Sequence, residues 1–405
     1  MAVVAVEPVG RGGVVRRAWT HWGTSRDLIT LRLPTHDAGT GLIGEPLGRA
    51  QRGGDFVWDP FDAYRAGLVA NPNVVVAGAI GVGKSTVVKM LVDRALRRGR
   101  RVIIVDPKGE YGALARAHGR ETVTFGTGAW CRPFGPDAAK NRDVVRLLLA
   151  SAAGRSLTAD ESFALDVATE SLGDATPPRL LAALFDLVSP ALSDLTSTPR
   201  QRLALLLRRF VHGDLADLFD GAGPPMALDD TLVVVDLSRQ WASDHLAVAA
   251  VSVVAASHAE VASGQECYVV MDEAWALLAD DASLRWLQGS WKLARARGVS
   301  HVLVLHRWSD ASAVGSRNSA AYARARGLLR ECESAWLFRQ PPDEADEMAE
   351  VLGLGALERT VLPTLERGQA LVRYGRARSV VQLTPSARDR TFVDTDAAMR
   401  GHDAL

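Results

Sequence analysis

The sequence predicts an α/β fold: a mostly parallel central sheet with flanking helices, interrupted by an all-helical insertion subdomain. Three observations predict it. Short apolar, β-branched runs alternate with helix-periodic segments along most of the 405 residues. The stretch "VVVAGAIGVGKSTVVKML" (74–91) passes from strand to helix through a glycine-rich loop. Residues 140–230 lose the strand pattern and read as helix throughout.

In chain order, residues 1–55 are rich in Gly, Arg and Thr and hold one alternating run, "DLITLRL" (27–33), so a short N-terminal arm is expected. "FVWDPFDAYRAG" (56–67) is aromatic and precedes the first core strand. Two readings stand for it: packing beside an adenine, or a linker docked on the core. Val74–Val76 read as a buried parallel strand. From Lys84, Val87, Val88, Met90, Leu91 and Ala95 fall on one helical face. "RRVIIVDPKGEYGALA" (100–115) is a second strand ending in a turn, and 56–139 form the first part of the core.

"DVVRLLLASAAG", "ADESFALDVATESLG", "PPRLLAALFDLVS" and "PRQRLALLLRRFVHGDLADLF" supply the helices of 140–230, broken at "TPP" and "STPR". The core then resumes over 231–405. "TLVVVDLS" (231–238), "ECYVVMDEAWALL" (266–278), "VSHVLVLHRWSD" (299–310) and "ESAWLFRQ" (333–340) are strands, and "DHLAVAAVSVVAASHAEVA" (244–262) is an apolar helix. "GQALVRYGRARSVVQLTP" (368–385) reads as a terminal hairpin before a short tail.

The loop at 78–85 has the full P-loop spacing, Gly78-x-x-x-x-Gly83-Lys84-Ser85. Gly78, Gly81 and Gly83 let successive backbone N–H groups turn toward phosphate oxygens. The helix N-terminus adds partial positive charge there. Lys84 is placed to reach the β- and γ-phosphates, and the Ser85 hydroxyl to hold Mg²⁺. Ligands gather at the carboxyl ends of strands in open α/β sheets, so Asp106, Lys108 and Glu110 are expected near the nucleotide.

"YVVMDEAW" has the pattern of a Walker B strand. Asp272 is placed to hold Mg²⁺ through water, and Glu273 to orient or deprotonate the attacking water. Asp236 in "VVVDLS" is the rival carboxylate, ranked second because no acid follows it. His306 ends the next strand, where a hydrogen-bond donor can sense the γ-phosphate.

Composition bounds the rest. Apolar residues make up 47% of the chain, enough for a full core, and the formal net charge is zero, so no overall polycation points to nucleic acid. Charge is nonetheless segregated. Residues 285–330 hold nine Lys/Arg against one acid, Asp310, and residues 331–350 hold seven acids against Arg339. A solvated surface, complementary faces of a head-to-tail ring and a DNA-backbone path are three open readings of that dipole. Cys131, Cys267 and Cys332 lack metal-ligand spacing and fit a reducing cytoplasm. No window reaches the roughly 18 apolar residues of a membrane span, and the N-terminus lacks the order of a signal peptide. A cytoplasmic protein is expected, with docking at the inner face of the membrane through a partner.

"NPNVVVAGAIGVGKSTVVKML" joined to "GRRVIIVDPKGEY" resembles the HerA/FtsK superfamily of ring-forming P-loop motors. The resemblance is strongest to its conjugation and type IV secretion ATPase branch, as found in actinobacterial mobile elements. "DPFDAYRAG", "VVMDEAW", "LVLHRWSD", "LFRQ" and "FVDTDAAM" look like that branch in the expected order, over residues 50–400.

The resemblance implies a RecA-like fold and ATP hydrolysis with Mg²⁺. It implies nucleotide contacts from Lys84, Ser85 and Thr86, metal contact from Asp272, the catalytic carboxylate at Glu273 and a sensor at His306. It implies an arginine acting in trans without fixing which; Arg339 is preferred here, with Arg295 and Arg330 behind it. It implies hexamers when assembled, working with other secretion or conjugation subunits at the membrane; the expected load is DNA or a protein–DNA complex, and the alternative is an ATPase that energises protein secretion or assembly of a membrane complex without direct DNA contact. Relatives of that branch usually carry a long N-terminal docking domain where this chain has about 55 residues. A partner supplying that function, or a motor working apart from a full channel, is therefore expected.

Overall fold

Eleven strands among the described residues form one sheet, in the order β2-β1-β11-β10-β9-β3-β8-β7-β4-β6-β5. In chain order they are β1 (Gly48–Ala50), β2 (Asp55–Phe56), β3 (Val74–Ala77), β4 (Arg101–Asp106), β5 (Val123–Thr124), β6 (Leu232–Asp236), β7 (Cys267–Met271), β8 (Val299–Leu305), β9 (Ser334–Phe338), β10 (Gln369–Tyr374) and β11 (Ala377–Leu383). The computed structural model describes residues 39–394 except 52, 127–128, 136, 173–178, 194–197, 220–224, 242, 244, 262–264, 275–280 and 307–319. The alternating run at 27–33 lies outside the described residues, as does most of "FVDTDAAM".

The strands from β9 to β5 in that order run parallel. The hairpin β10–β11 and the short β1 and β2 extend one edge antiparallel. Every residue of β3, β4, β7, β8 and β9 is buried. Helices cover both faces of such a sheet, so its strands need apolar or satisfied side chains on both sides. The two-residue period of a strand then sorts alternate residues into two cores. Val75, Ile103, Val105, Val269, Leu303 and Leu337 belong to one. Val74, Val76, Val102, Ile104, Val270 and Val304 belong to the other.

The helices follow in order: α1 (Pro60–Arg65), α2 (Lys84–Arg97), α3 (Gly112–Ala117), α4 (Ala138–Ala153), α5 (Ala159–Ser171), α6 (Leu180–Val188), α7 (Pro199–Val211), α8 (Ala216–Phe219), α9 (Leu246–Glu260), α10 (Asp281–Arg297), α11 (Ala320–Arg330), α12 (Pro342–Leu352), α13 (Ala356–Val361) and α14 (Arg390–Val393). Helix α2 leaves the glycine-rich loop and buries Val87, Val88, Met90 and Leu91 in the second core. Arg94 of α2 makes a buried bidentate pair with Asp389, at 2.7 and 2.9 Å, which ties the C-terminal segment to the helix behind the loop.

Helices α4 to α8 and α9 contribute to the first core. Helix α5 opens on a capping box in which Thr158 Oγ1 accepts from Glu161 N and the Glu161 carboxylate accepts from Thr158 N. Glu161 is fully buried and also pairs with Arg155 and Arg202. The three free cysteines are all buried, and no helix of the described residues is long and apolar enough to cross a membrane.

The aromatic segment 56–67 is docked on the core at the amino ends of the strands, the end opposite the loop. Phe61 packs edge-on against Tyr268, the second residue of β7, at 5.2 Å between centroids. Trp58 lies 4.9 Å from Tyr374. Asp59 caps α1 and accepts from Tyr268 Oη at 2.6 Å, and Arg100 joins it to Glu266 and Asp62 in a buried ion network. Of the two sequence readings, the docked linker is the one observed; packing beside an adenine is not, because the segment sits at the wrong end of the sheet.

The segregated charges partly meet within the chain. Arg326 on α11 pairs with Glu350 on α12 at 2.9 Å, and Arg330 Nε donates to Val351 O at 3.0 Å. Helices α11 and α12 pack on one another, so basic and acidic residues meet there.

Candidate active site

The glycine-rich loop is fixed by its neighbours as much as by its own residues. A Cβ on Gly78 would lie 2.6 Å from Phe338 Cβ on the adjacent strand β9, so a side chain at that position has no room. Gly83 begins α2 at φ 118°, in the region that favours glycine. The loop is pinned from outside by Ala79 N donating to Arg339 O at 3.0 Å and by Gly368 N donating to Val82 O at 2.8 Å. Thus β9 and the lead-in to β10 hold the loop on two sides.

Lys84 folds back over the loop. Its Nζ donates to Gly78 O and Ala79 O, both at 2.7 Å. Only 5% of Lys84 is exposed, and burial pulls its ammonium down to about 8, against the raising pull of Asp272 and Glu273. A buried ammonium bonded only to neutral carbonyls is short of negative charge.

The second strand end is organised by Asp106. Its buried carboxylate accepts from Glu110 N at 3.1 Å and Tyr111 N at 3.0 Å, which closes the "DPKGE" turn. Burial raises the Asp106 carboxyl to about 6 despite those two bonds. The turn brings Glu110 to Ser85, whose Oγ donates to Glu110 Oε2 at 3.2 Å. It also brings Lys108 across to the end of β7.

There Asp272 and Glu273 sit side by side, both buried. Asp272 Oδ1 accepts from Glu273 N at 2.9 Å. Burial, then the charges of Glu273, Asp106 and Glu110, push the Asp272 carboxyl up to about 7. Glu273 behaves oppositely. Burial pushes its carboxyl up, but contacts from His306 and Lys108 outweigh burial and hold it at about 2. Both contacts fall on one oxygen, Oε1, and Lys108 Nζ lies 2.9 Å from His306 Nε2.

The donor set suits a divalent cation carried by phosphate. Ser85 Oγ and the Asp272 carboxylate stand in the same cluster, and burial with the neighbouring acids Glu273, Asp106 and Glu110 outweighs the positive charge near Asp272. Among the described residues no group of three His, Cys, Asp or Glu side chains forms a ready-made metal cage. Mg²⁺ characteristically uses one or two protein oxygens plus phosphate and water.

The sequence-predicted residues divide accordingly. Lys84, Ser85, Asp272, Glu273 and His306 converge, together with Lys108 and Glu110. Thr86 follows in the first turn of α2, half-buried, and Gly81 occupies the exposed bend of the loop. Asp236 ends β6, beyond β4 from β7, and its carboxylate is engaged by Ser238 N at 2.8 Å. Arg339 is exposed at the end of β9, its carbonyl bound to the loop. Arg330 is exposed, and its Nε donates to Val351 O on α12. The Arg295 side chain lies outside the described residues.

Sequence reading passes over two residues that the fold brings close. Gln340 follows Arg339 and is 2% exposed with neither amide atom hydrogen-bonded. Lys89 is fully buried one turn beyond Ser85, its Nζ unpartnered and 5.5 Å from the Tyr111 ring. The spacing of Lys89 from Ser85, four residues along one helix face, is the signal available in the sequence.

Residues 71–169 match the family described as Helicase HerA, central domain. No curated protein matches the chain by sequence. Among solved structures, VirB4 of Thermoanaerobacter pseudethanolicus is similar over 88% of this chain and 100% of its own, with 21% identity and a TM-score of 0.75. The plasmid coupling protein TrwB in complex with the non-hydrolysable ATP analogue ADPNP is similar over 85% of this chain and 90% of its own, with 18% identity and a TM-score of 0.54. TrwB with a non-hydrolysable GTP analogue aligns with 17% identity and a TM-score of 0.52, over 85% and 90% of the two chains. The matched window holds the Lys84 loop and the Asp106 turn, and the fold supplies Asp272 and His306 from the strands alongside: a P-loop site set on a RecA-like fold, within which residues 71–169 are similar to the HerA central domain.

Proposed function

We propose that this chain is the ATP-hydrolysing subunit of a hexameric ring motor that powers transfer of DNA, or of a protein–DNA substrate, in conjugation or type IV secretion. The observation that carries the reading is the convergence of Lys84, Asp272 and Glu273 at adjacent strand ends, on a fold shared with VirB4 over nearly the whole chain.

In this reading the loop N–H groups and Lys84 bind the β- and γ-phosphates. The Lys84 ammonium, now bonded to carbonyls, gains the anion it lacks. Ser85 and Asp272 hold Mg²⁺, which when bound offsets charge on the phosphate oxygens. Glu273 accepts a proton from water as the water oxygen bonds to the γ-phosphorus. The bond from that phosphorus to the β–γ bridging oxygen breaks, leaving ADP and inorganic phosphate. His306 reports the state of the γ-phosphate through its bond to Glu273. Arg339, exposed beside the loop, serves the site of a neighbouring subunit.

Steady-state ATP hydrolysis tests this, with Glu273→Gln as the blank, with and without single- and double-stranded DNA at low salt. Low salt matters because phosphate contacts weaken steeply as ions are added. Stimulation by DNA supports the translocase. DNA-blind turnover moves the load to protein, and absence of turnover above the blank removes the motor reading.

A further inference from the structure

Lys108 has no part in the chemistry described so far, yet it stands at its centre. It lies in the turn closed by Asp106, on the same turn as Glu110, which reaches Ser85. Its Nζ meets Glu273 Oε1, lies 2.9 Å from His306 Nε2 and stands 5.3 Å from the ring centroid of Trp241, which is 39% exposed. Glu273 Oε1 therefore holds an ammonium and an imidazole at once. An oxygen so occupied has no lone pair left for a water proton. For Glu273 to accept a proton through Oε1, a contact must be exchanged.

Lys108 is the contact free to leave. Its side chain is 28% exposed and springs from the turn after β4, whereas His306, 20% exposed, is held at the end of the fully buried strand β8. Its ammonium also bears on Lys84: the charge of Lys108 is among the influences that lower Lys84. Lys108 meets Glu273, and Lys84 feels the charges of Asp272 and Glu273, so both ammonium groups gather at one acidic pair, where a polyanion would offset them further. The terminal phosphate of a nucleoside triphosphate carries more charge than one carboxylate and more oxygens to accept an ammonium.

We propose that Lys108 is a second, cis-acting phosphate ligand: without nucleotide it restrains Glu273, and with a triphosphate it moves to a γ-phosphate oxygen and frees the Glu273 carboxylate. ADP offers no γ-phosphate and leaves the restraint in place. The inference rests on the reading of the Lys84 loop as an ATP site and of Glu273 as the proton acceptor.

The test measures affinity of the full chain for fluorescent ADP and for a fluorescent non-hydrolysable ATP analogue, with Mg²⁺, beside kcat for ATP. Lys108→Met is expected to weaken the triphosphate analogue about 10- to 100-fold, the worth of one charged hydrogen bond, while ADP changes less than about twofold. Its kcat falls, and Lys108→Arg, which keeps the cation, recovers part of both losses. Equal losses for ADP and the analogue, or no loss for either, would overturn the inference while leaving the ATPase reading intact. A rise in kcat for Lys108→Met also overturns it, since Lys108 would then be a restraint alone. If the unaltered protein binds neither nucleotide, the ATP-site reading itself falls. Should Lys108→Met not fold, the ratio of the two affinities in Lys108→Arg and Lys108→Gln decides the same question.

Discussion

Glu273 and His306 meet across the ends of the adjacent strands β7 and β8, and Glu273 does so from φ 50°, a left-handed conformation seen in no other non-glycine among the described residues. Ala274 N donating to Val304 O at 3.0 Å holds the turn there. A non-glycine residue in that region costs roughly 1–3 kcal/mol and persists where surrounding contacts over-determine it. Glu273→Gln keeps the shape and loses the proton acceptor. Nucleotide affinity is expected to stay while kcat falls about 10²- to 10⁴-fold. Equilibrium binding beside steady-state turnover checks it, and full activity would move the role to another residue.

Lys84→Met separates binding from stability. Removing the ammonium removes the phosphate contact, so ATP affinity is expected to collapse. The folded protein also loses a buried charge whose pKa, about 8, lies below the ordinary lysine value of 10.5. A base with a lowered folded pKa destabilises the native state at neutral pH. Tm is therefore expected to hold or rise as binding is lost, and a large drop in Tm would show that the two carbonyl bonds of Lys84 carry the loop.

Arg339→Ala should yield inactive protein that regains turnover when mixed with Glu273→Gln. In a ring, an intact Glu273 from one subunit would then face an intact Arg339 from its neighbour. Activity of mixtures plotted against mixing ratio checks this. No recovery at any ratio counts against a trans role for Arg339.

Away from the site, His258 and His301 form a buried pair joined Nε2 to Nε2 at 2.9 Å. Asn73 Oδ1 accepts from His301 Nδ1 at 3.2 Å, so His258 donates to His301 and both rings are neutral. Burial, helped by the Arg297 charge, lowers His258 to about 3, and burial lowers His301 well below 6.5. The unfolded chain takes up protons near pH 6.5 and the folded one does not. Stability is thus complete above that pH and is lost as pH falls below it, on the order of 1.4 kcal/mol per pH unit for each histidine. Urea midpoints at pH 7.5, 6.5 and 5.5 measure the slope, and His258→Phe is expected to make it shallower.

Arg100 joins Asp59, Asp62 and Glu266 at the amino ends of the strands. Arg100→Met leaves the buried Asp59 carboxylate without its cation. A loss of about 3–5 kcal/mol is expected, with KM for ATP unchanged because the network sits at the far end of the sheet. Chemical denaturation and steady-state kinetics on the same variant check both halves.

Much of the architecture was legible because its signals are local. The buried strands, the loop spacing at 78–85, the acidic pair at 272–273 and the hairpin at 368–385 are each written in a few consecutive residues. The segment 56–67 was harder. Its aromatic residues fit either a base or a core, and only the position of Tyr268 and Tyr374 shows which neighbours they have. The charge dipole over 285–350 was likewise ambiguous until α11 and α12 were seen to pack and pair Arg326 with Glu350.

What the sequence by itself determined is the set of parts: a phosphate loop, two carboxylates after an apolar strand, and a histidine ending the next one. Strand order was decided by tertiary structure alone, because it depends on pairing between segments far apart in the chain. Setting β8 between β3 and β7 puts His306 against Glu273, and setting β4 beside β7 swings Lys108 across to the same carboxylate. Lys108 and Glu273 are 165 residues apart (273 − 108); their contact follows from the order of strands in the sheet, which no local pattern encodes.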